Sequence, residues 1–118
     1  MQNVETLHQE AMELVDRAVL ARQQGNAAEV ANEVAKFARA AFQKEREAAD
    51  AVANHLDLEP TRSVLHRSAA VLALECTEVR EAERLIGRAL AGNPPDDIAN
   101  ELRDLLIEEI YSRRQEIA

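Results

Sequence analysis

Residues 63–94 read SVLHRSAAVLALECTEVREAERLIGRALAGNP, two stretches with helical periodicity separated by a polar turn near Thr77. Small residues stand where two such helices would approach most closely: Ala69, Ala70, Ala82 and Ala89. Gly92 and Pro94 follow the second stretch and predict its end, because glycine adopts helix-terminating conformations and proline cannot continue a helix. The segment therefore predicts an antiparallel helical hairpin at about residues 60–92.

The N-terminal half predicts a second, longer hairpin at about residues 3–56. Its apolar residues recur at steps of three and four and form one stripe on each helix, and Gly25-Asn26 separates the two helices. The stripe of the first helix consists of Leu7, Ala11, Leu14, Val15, Ala18 and Ala21, and that of the second consists of Val30, Val34, Phe37, Ala41, Ala48, Val52 and Leu56. The second helix meets no breaker before Pro60, which we expect to be the first residue of the third helix. The Lys44–Glu47 turn is charged on every face, so there we expect the long helix to stand clear of the domain body.

The composition excludes a fold rich in strands and turns. Only three glycines and three prolines occur in 118 residues, 47% of the residues are apolar and 3% are aromatic. A further helix at about residues 94–116, which Asn93 could cap, carries an apolar seam that includes Leu105, while Asp104 and Glu108 face water. We therefore expect one all-α domain over residues 1–118, with about five helices, an unusually long second helix and an aliphatic core.

The hairpin at residues 63–96 resembles a tetratricopeptide repeat, with alanines at the close-packing positions and Pro94 closing the unit. The resemblance is partial over residues 11–44, where Arg17 stands at a usually apolar position and no proline closes the unit. It implies two antiparallel hairpins plus a C-terminal capping helix. Since such arrays usually need about three repeats, self-association would compensate for the short stack.

The resemblance also implies a binding groove lined by the first helix of each hairpin. Carried over residue by residue, this groove would contain Met12, Val15, Val19, Arg22, Val64, Arg67, Ser68, Val71 and Leu74. The family members that bind a peptide's terminal carboxylate use several Lys, Asn and Arg side chains at these places. Valine dominates here, so a carboxylate clamp is not expected.

An apolar groove of this kind would be covered by the fifth helix, by a second copy of the chain or by an amphipathic helix of another protein. The sequence thus predicts a non-catalytic protein-interaction or adaptor module that forms a homodimer. Dimerisation would use either the surface of the first and third helices or the overhanging second helix.

Charge and targeting signals exclude several other classes. The net charge of −8 argues against nucleic acid, and the longest apolar run is too short to cross a membrane. With one cysteine and no signal-like leader, we expect a cytoplasmic protein. Glu5-x-x-His8 has di-iron spacing but lacks the required second motif, so no metal or cofactor is expected.

One group of side chains suggests a catalytic role. Arg62, His66 and Arg67 would suit a small helical enzyme or toxin-type ribonuclease if the three side chains converged in one pocket. The spacing of Arg62 and His66 is shorter than in such nucleases. We therefore prefer the interpretation in which the two arginines pair with acidic residues of the second or fifth helix.

Overall fold

The computed structural model describes residues 3–24 and 27–112, and this part of the chain consists of helices joined by short turns, without a β-strand. The five α-helices are α1 (Val4–Gln23), α2 (Ala27–Val52), α3 (Thr61–Glu75), α4 (Val79–Leu90) and α5 (Asp96–Leu105). A π-helix, Leu106–Tyr111, continues α5 directly, and we call residues 96–111 together the C-terminal helix. A short 3₁₀ turn, Leu56–Leu58, lies between α2 and α3. The all-α prediction is confirmed.

Consecutive helices pack against one another. α1 lies along α2, α2 contacts α3, and α3 contacts α4, while the C-terminal helix closes against both α3 and α4. His8 near the start of α1 contacts Glu45 near the end of α2, which shows that this pair is antiparallel. At 26 residues, α2 is the longest helix of the described chain and extends about 39 Å.

The core consists mostly of alanine and leucine. The four alanines expected at the close contact of α3 and α4 are fully buried, which confirms that feature of the hairpin: Ala69, Ala70, Ala82 and Ala89. The largest fully buried side chain is Phe42. It lies beside the predicted α2 stripe, so the sequence periodicity did not identify it.

The charged turn of α2 lies against α1, and the expectation that it stands clear of the domain is wrong. Glu45 is completely buried, and both of its carboxylate oxygens lie 2.8–2.9 Å from Nδ1 of His8. Lys44 forms an ion pair with Glu10 of α1 at 2.9 Å. A charged turn can pack against a neighbouring helix when that helix supplies partners for its charges.

Two helix ends differ from the sequence prediction. Pro60 precedes α3 rather than opening it, since the helix begins at Thr61. Asn93 does not cap α5, which begins at Asp96; its backbone N–H donates to Oε2 of Glu59 instead. Gly25-Asn26 and residues 113–116 of the predicted last helix lie outside the described residues.

Within the described residues, no helix combines the length and the apolar character that a membrane span requires.

Candidate functional site

An open groove runs between α3 and the C-terminal helix. Its floor is aliphatic and consists of Val71, Leu74 and Leu105. Carboxylates border it: Glu75, Glu101, Asp104, Glu108 and Glu109. We call this surface the acidic groove. Two adjoining depressions of about 310 and 330 Å³, which share Val71, Leu105 and Glu109, form its volume.

The two walls of the acidic groove run in the same direction. An ion pair joins Arg67 to Glu101 at one end, and Glu75 lies with Glu109 at the other. Each wall therefore contributes residues over two helical turns, which gives the groove a length of about 12 Å. Both walls are helices, so their backbone hydrogen bonds are satisfied internally.

The charge of the acidic groove is strongly one-sided. Among the described residues, five carboxylates line it against one guanidinium, that of Arg67, which is already paired with Glu101. In the same part of the chain, Glu75, Asp104 and Glu108 form no ion pair through their side chains. These three carboxylates therefore place negative charge without a described ion-pair partner beside the aliphatic floor.

Three of the residues that the resemblance placed on α3 line this groove. Val71 is 38% exposed, and Leu74 and Arg67 are half-buried beside it. Val64 and Ser68 are half-buried on α3 and do not line it. The C-terminal helix forms one wall without covering Val71, so it does not fill the groove.

The residues predicted on α1 do not line the acidic groove. Met12 and Val15 are half-buried, while Val19 and Arg22 are exposed on the outer part of the helix. Beside Val19, which is 42% exposed, Leu20 is 57% exposed. Sequence reasoning passed over Leu20, although its place outside the buried α1 stripe indicated exposure.

Sequence reasoning also missed the role of the C-terminal helix. Asp104 and Glu108 were expected only to face water, and Leu105 only to form a packing seam. The sequence did contain one indication of a mixed acidic and apolar surface, because both acidic residues stand beside that seam on one helix. The groove, however, also needs Val71, which lies next to them in space but more than thirty positions away in sequence.

Arg62 is buried and ties three helix ends together. Its Nε donates to the carbonyl of Ala53 at 2.7 Å, and its Nη2 donates to the carbonyl of Arg88 at 2.8 Å. Nη1 donates to the carbonyl of Ala89 at 3.3 Å and lies 3.7 Å from the Glu59 carboxylate. The guanidinium thereby satisfies the carbonyls of Ala53 and Arg88 at the ends of α2 and α4, and it adds a second hydrogen bond to the carbonyl of Ala89, which already accepts from the Gly92 N–H. Its acidic partner is Glu59, so the expected pairing with an acid of α2 or α5 is wrong for Arg62.

The Glu59 carboxylate organises the beginning of α3. It accepts a hydrogen bond from the backbone N–H of Ser63 at 2.9 Å and from the Ser63 hydroxyl at 2.7 Å. A carboxylate that accepts an N–H in the first turn stabilises a helix through hydrogen bonding and the helix dipole. Arg62 and Glu59 are thus part of the folded framework.

His66 is fully buried next to this framework. Its Nδ1 lies 2.7 Å from the Arg62 carbonyl and must donate to it, so Nε2 accepts the hydrogen bond from Nε of Arg88 at 2.8 Å. Burial of the imidazole lowers the pKa of His66 to about 4, and the charges of Arg88 and Arg62 act in the same direction. Arg88 also donates to Asp50 at 2.7 Å.

The structure does not bring Arg62, His66 and Arg67 into one pocket. Arg67 lies about 140° around α3 from Arg62 and pairs with Glu101 of α5. The expected pairing with a fifth-helix acid is therefore confirmed for Arg67. Because the polar atoms of Arg62 and His66 are hydrogen-bonded within the fold, these two residues form no exposed acid–base pair.

Two other reactive groups lie apart from the acidic groove. Cys76, at the end of α3, is half-buried, and burial raises the pKa of its thiol, which leaves it less nucleophilic. His8 binds Glu45 rather than Glu5 and lines an open cleft of about 440 Å³ with Val52, Leu58 and Leu65. Among the residues described, no group of three or more potential metal ligands converges.

Comparisons of the chain with known protein families, with curated proteins and with solved structures found no match.

Proposed function

We propose that the protein is a non-catalytic interaction module that binds a segment of another protein in the acidic groove. The observation that carries the proposal is the partly exposed Val71 on an aliphatic floor between two helical walls. An aliphatic floor recessed between two helices can remove an apolar side chain of a partner from water. A helical segment in a groove is a common mode of peptide recognition.

The state of the reactive side chains supports a role in binding rather than catalysis. Arg62 and His66 are occupied by hydrogen bonds within the fold, and Cys76 has a raised pKa. The tetratricopeptide-like pattern agrees with this role, because such hairpins present binding surfaces on the first helix of each pair. The lone cysteine and the acidic composition fit an adaptor that works in the cytoplasm.

An unbiased peptide selection tests the proposal. Randomised peptides of about 16 residues, long enough for four helical turns, would be displayed on phage and selected on the immobilised full chain. We expect enrichment of peptides that no longer bind the Val71→Asp variant, because a carboxylate placed on the apolar floor would oppose burial of an aliphatic side chain. Binding would be measured by fluorescence anisotropy with synthetic peptides.

Leu56→Asp is the control for this experiment. It places the same carboxylate at an exposed apolar residue in the turn after α2, outside the acidic groove and outside the exposed α1 surface. The selected peptides should bind this variant as tightly as the unaltered chain. Failure to enrich any peptide, or equal loss of binding in both variants, would contradict the proposed function.

A further inference from the structure

We infer that the occupant of the acidic groove is a basic amphipathic helix of another protein, with aliphatic side chains on one face and Lys or Arg on both flanks. This inference rests on the proposed function and adds the chemical class of the partner. It follows from the charge, the length and the walls of the groove.

The negative charge of the acidic groove indicates a positively charged partner. The carboxylates of Glu75, Asp104 and Glu108 lie beside the floor without an ion-pair partner among the described residues. Glu75 belongs to the α3 wall, whereas Asp104 and Glu108 belong to the opposite wall. A ligand on the aliphatic floor would therefore meet negative charge on both sides, and a segment with cations on both flanks complements that pattern.

The walls decide the conformation of the partner. An extended peptide gains affinity by pairing its backbone with an exposed strand edge, and the two helical walls offer no such edge. A helical peptide satisfies its own backbone hydrogen bonds and needs only side-chain contacts. The groove length of about 12 Å accepts two turns of helix, which place two or three aliphatic side chains at i, i+3 or i+4, and i+7.

A second copy of the chain fits this groove less well. The net charge of −8 means that a second copy would bring further negative charge to a negative surface. The exposed apolar pair of α1, Val19 and Leu20, is separate from the acidic groove and remains available for self-association. The groove and the α1 surface are therefore assigned to different partners.

Two synthetic helical peptides test the inference. Both carry the same leucine and alanine face, while the polar face is Lys and Arg in one and Glu and Gln in the other. We expect the basic peptide to bind the full chain roughly tenfold more tightly at low ionic strength, with the difference shrinking as salt screens the exposed carboxylates. Affinities would be measured by fluorescence anisotropy between about 20 and 500 mM NaCl.

Charge-neutralised variants locate the effect. The double variant Asp104→Asn/Glu108→Gln should weaken the basic peptide roughly threefold to tenfold and leave the acidic peptide unaffected or slightly tighter. Glu29→Gln/Glu33→Gln is the control, because it removes two exposed carboxylates from α2, away from the groove. Circular dichroism would confirm that both variants keep the helical fold.

The outcomes separate this inference from the proposed function. If peptides that depend on Val71 bind but carry no excess of basic residues, the groove is a docking site and the inference is wrong. Equal binding of the acidic and basic peptides, or equal weakening by the two double variants, would also overturn it. If no peptide depends on Val71, both proposals fail. Binding of a second copy in the groove would appear in light scattering as a dimer that Val71→Asp abolishes, and it would overturn the inference.

Discussion

Buried polar side chains determine much of the local structure at the level of single residues. Arg62 donates to backbone carbonyls at the ends of α2 and α4, and Glu59 accepts from the first turn of α3. A carbon atom added at Gly92 would lie 2.3 Å from Nη1 of Arg62, which explains why this position accepts only glycine without a shift of the buried guanidinium. These contacts connect the ends of α2, α3 and α4 through hydrogen bonds that an apolar core does not supply.

The buried His66 makes stability depend on pH. Its pKa is about 4 in the folded chain against 6.5 for an unperturbed histidine, so the folded protein binds the proton more weakly than the unfolded chain. The stability that the folded chain gains by keeping His66 neutral is fully present above pH 6.5 and is lost as the pH falls towards 4. We expect this loss to reach about 3 kcal/mol of the free energy of unfolding. Urea unfolding followed by circular dichroism at about pH 7.5 and about pH 4.5 measures the loss.

Carboxylates also titrate in this range, so the pH effect is read as a difference between variants. His66→Gln removes the titrating ring, and its free energy of unfolding should fall less between these two pH values than that of the unaltered chain. His55→Gln changes an exposed histidine and should keep the unaltered slope. Equal slopes for the unaltered chain and His66→Gln would contradict the assignment.

The turn between α3 and α4 shows how one helix ends and the next begins. Thr77 has a φ of 59°, in the left-handed region. The Thr77 N–H donates to Leu74 and the Glu78 N–H donates to Ala73, at 3.0 and 2.8 Å. This is the Schellman arrangement, in which glycine is usual because a β-branched residue is strained there.

Relieving the strain at Thr77 should stabilise the hairpin. We expect Thr77→Gly to raise the free energy of unfolding by about 1 kcal/mol, because the left-handed penalty exceeds the added entropy of glycine in the unfolded chain. The melting midpoint should rise by about 4 °C in thermal denaturation. Thr77→Ala removes the same hydroxyl and keeps a Cβ, so it should bring no such gain. A lower midpoint for Thr77→Gly would contradict this account.

The pairing of α1 with α2 shows where sequence periodicity stops being informative. The α1 stripe was predictable, and Leu7, Ala11, Ala18 and Ala21 are buried as expected. The burial of the charged turn of α2 was not predictable, since Glu45 is buried only because His8 of α1 lies opposite its carboxylate. Periodicity describes one helix at a time, whereas burial of a charge depends on a partner from another helix.

At the scale of the whole molecule, the described residues leave apolar side chains exposed in several places, among them Leu56 and Ile107. The acidic groove is one such surface, and the outer part of α1 is another, where Val19 is 42% and Leu20 is 57% exposed. Among the described residues, neither of these two α1 side chains is buried by another helix. We propose that a second copy of the chain packs there, as the resemblance to helical repeats predicts.

Light scattering coupled to size-exclusion chromatography tests this self-association. At micromolar concentration we expect a particle of twice the 13.1 kDa chain mass, and we expect Val19→Asp to convert it to the monomer because the carboxylate would be buried in the contact. Leu56→Asp alters another exposed apolar residue, in the turn after α2, and should leave the dimer intact. A monomeric unaltered chain would refute the proposal.

The sequence by itself determined the helical class, those helix bounds that lie within the described residues to within a few positions, and the alanine contact of α3 with α4. These features follow from local periodicity, from scarce glycine and proline, and from small residues at regular spacing. The acidic groove was decided by tertiary structure alone, because Val71 and Asp104 come together only when the C-terminal helix packs beside α3. The same holds for Arg62, whose hydrogen-bond partners are backbone carbonyls that carry no signal in side-chain identity.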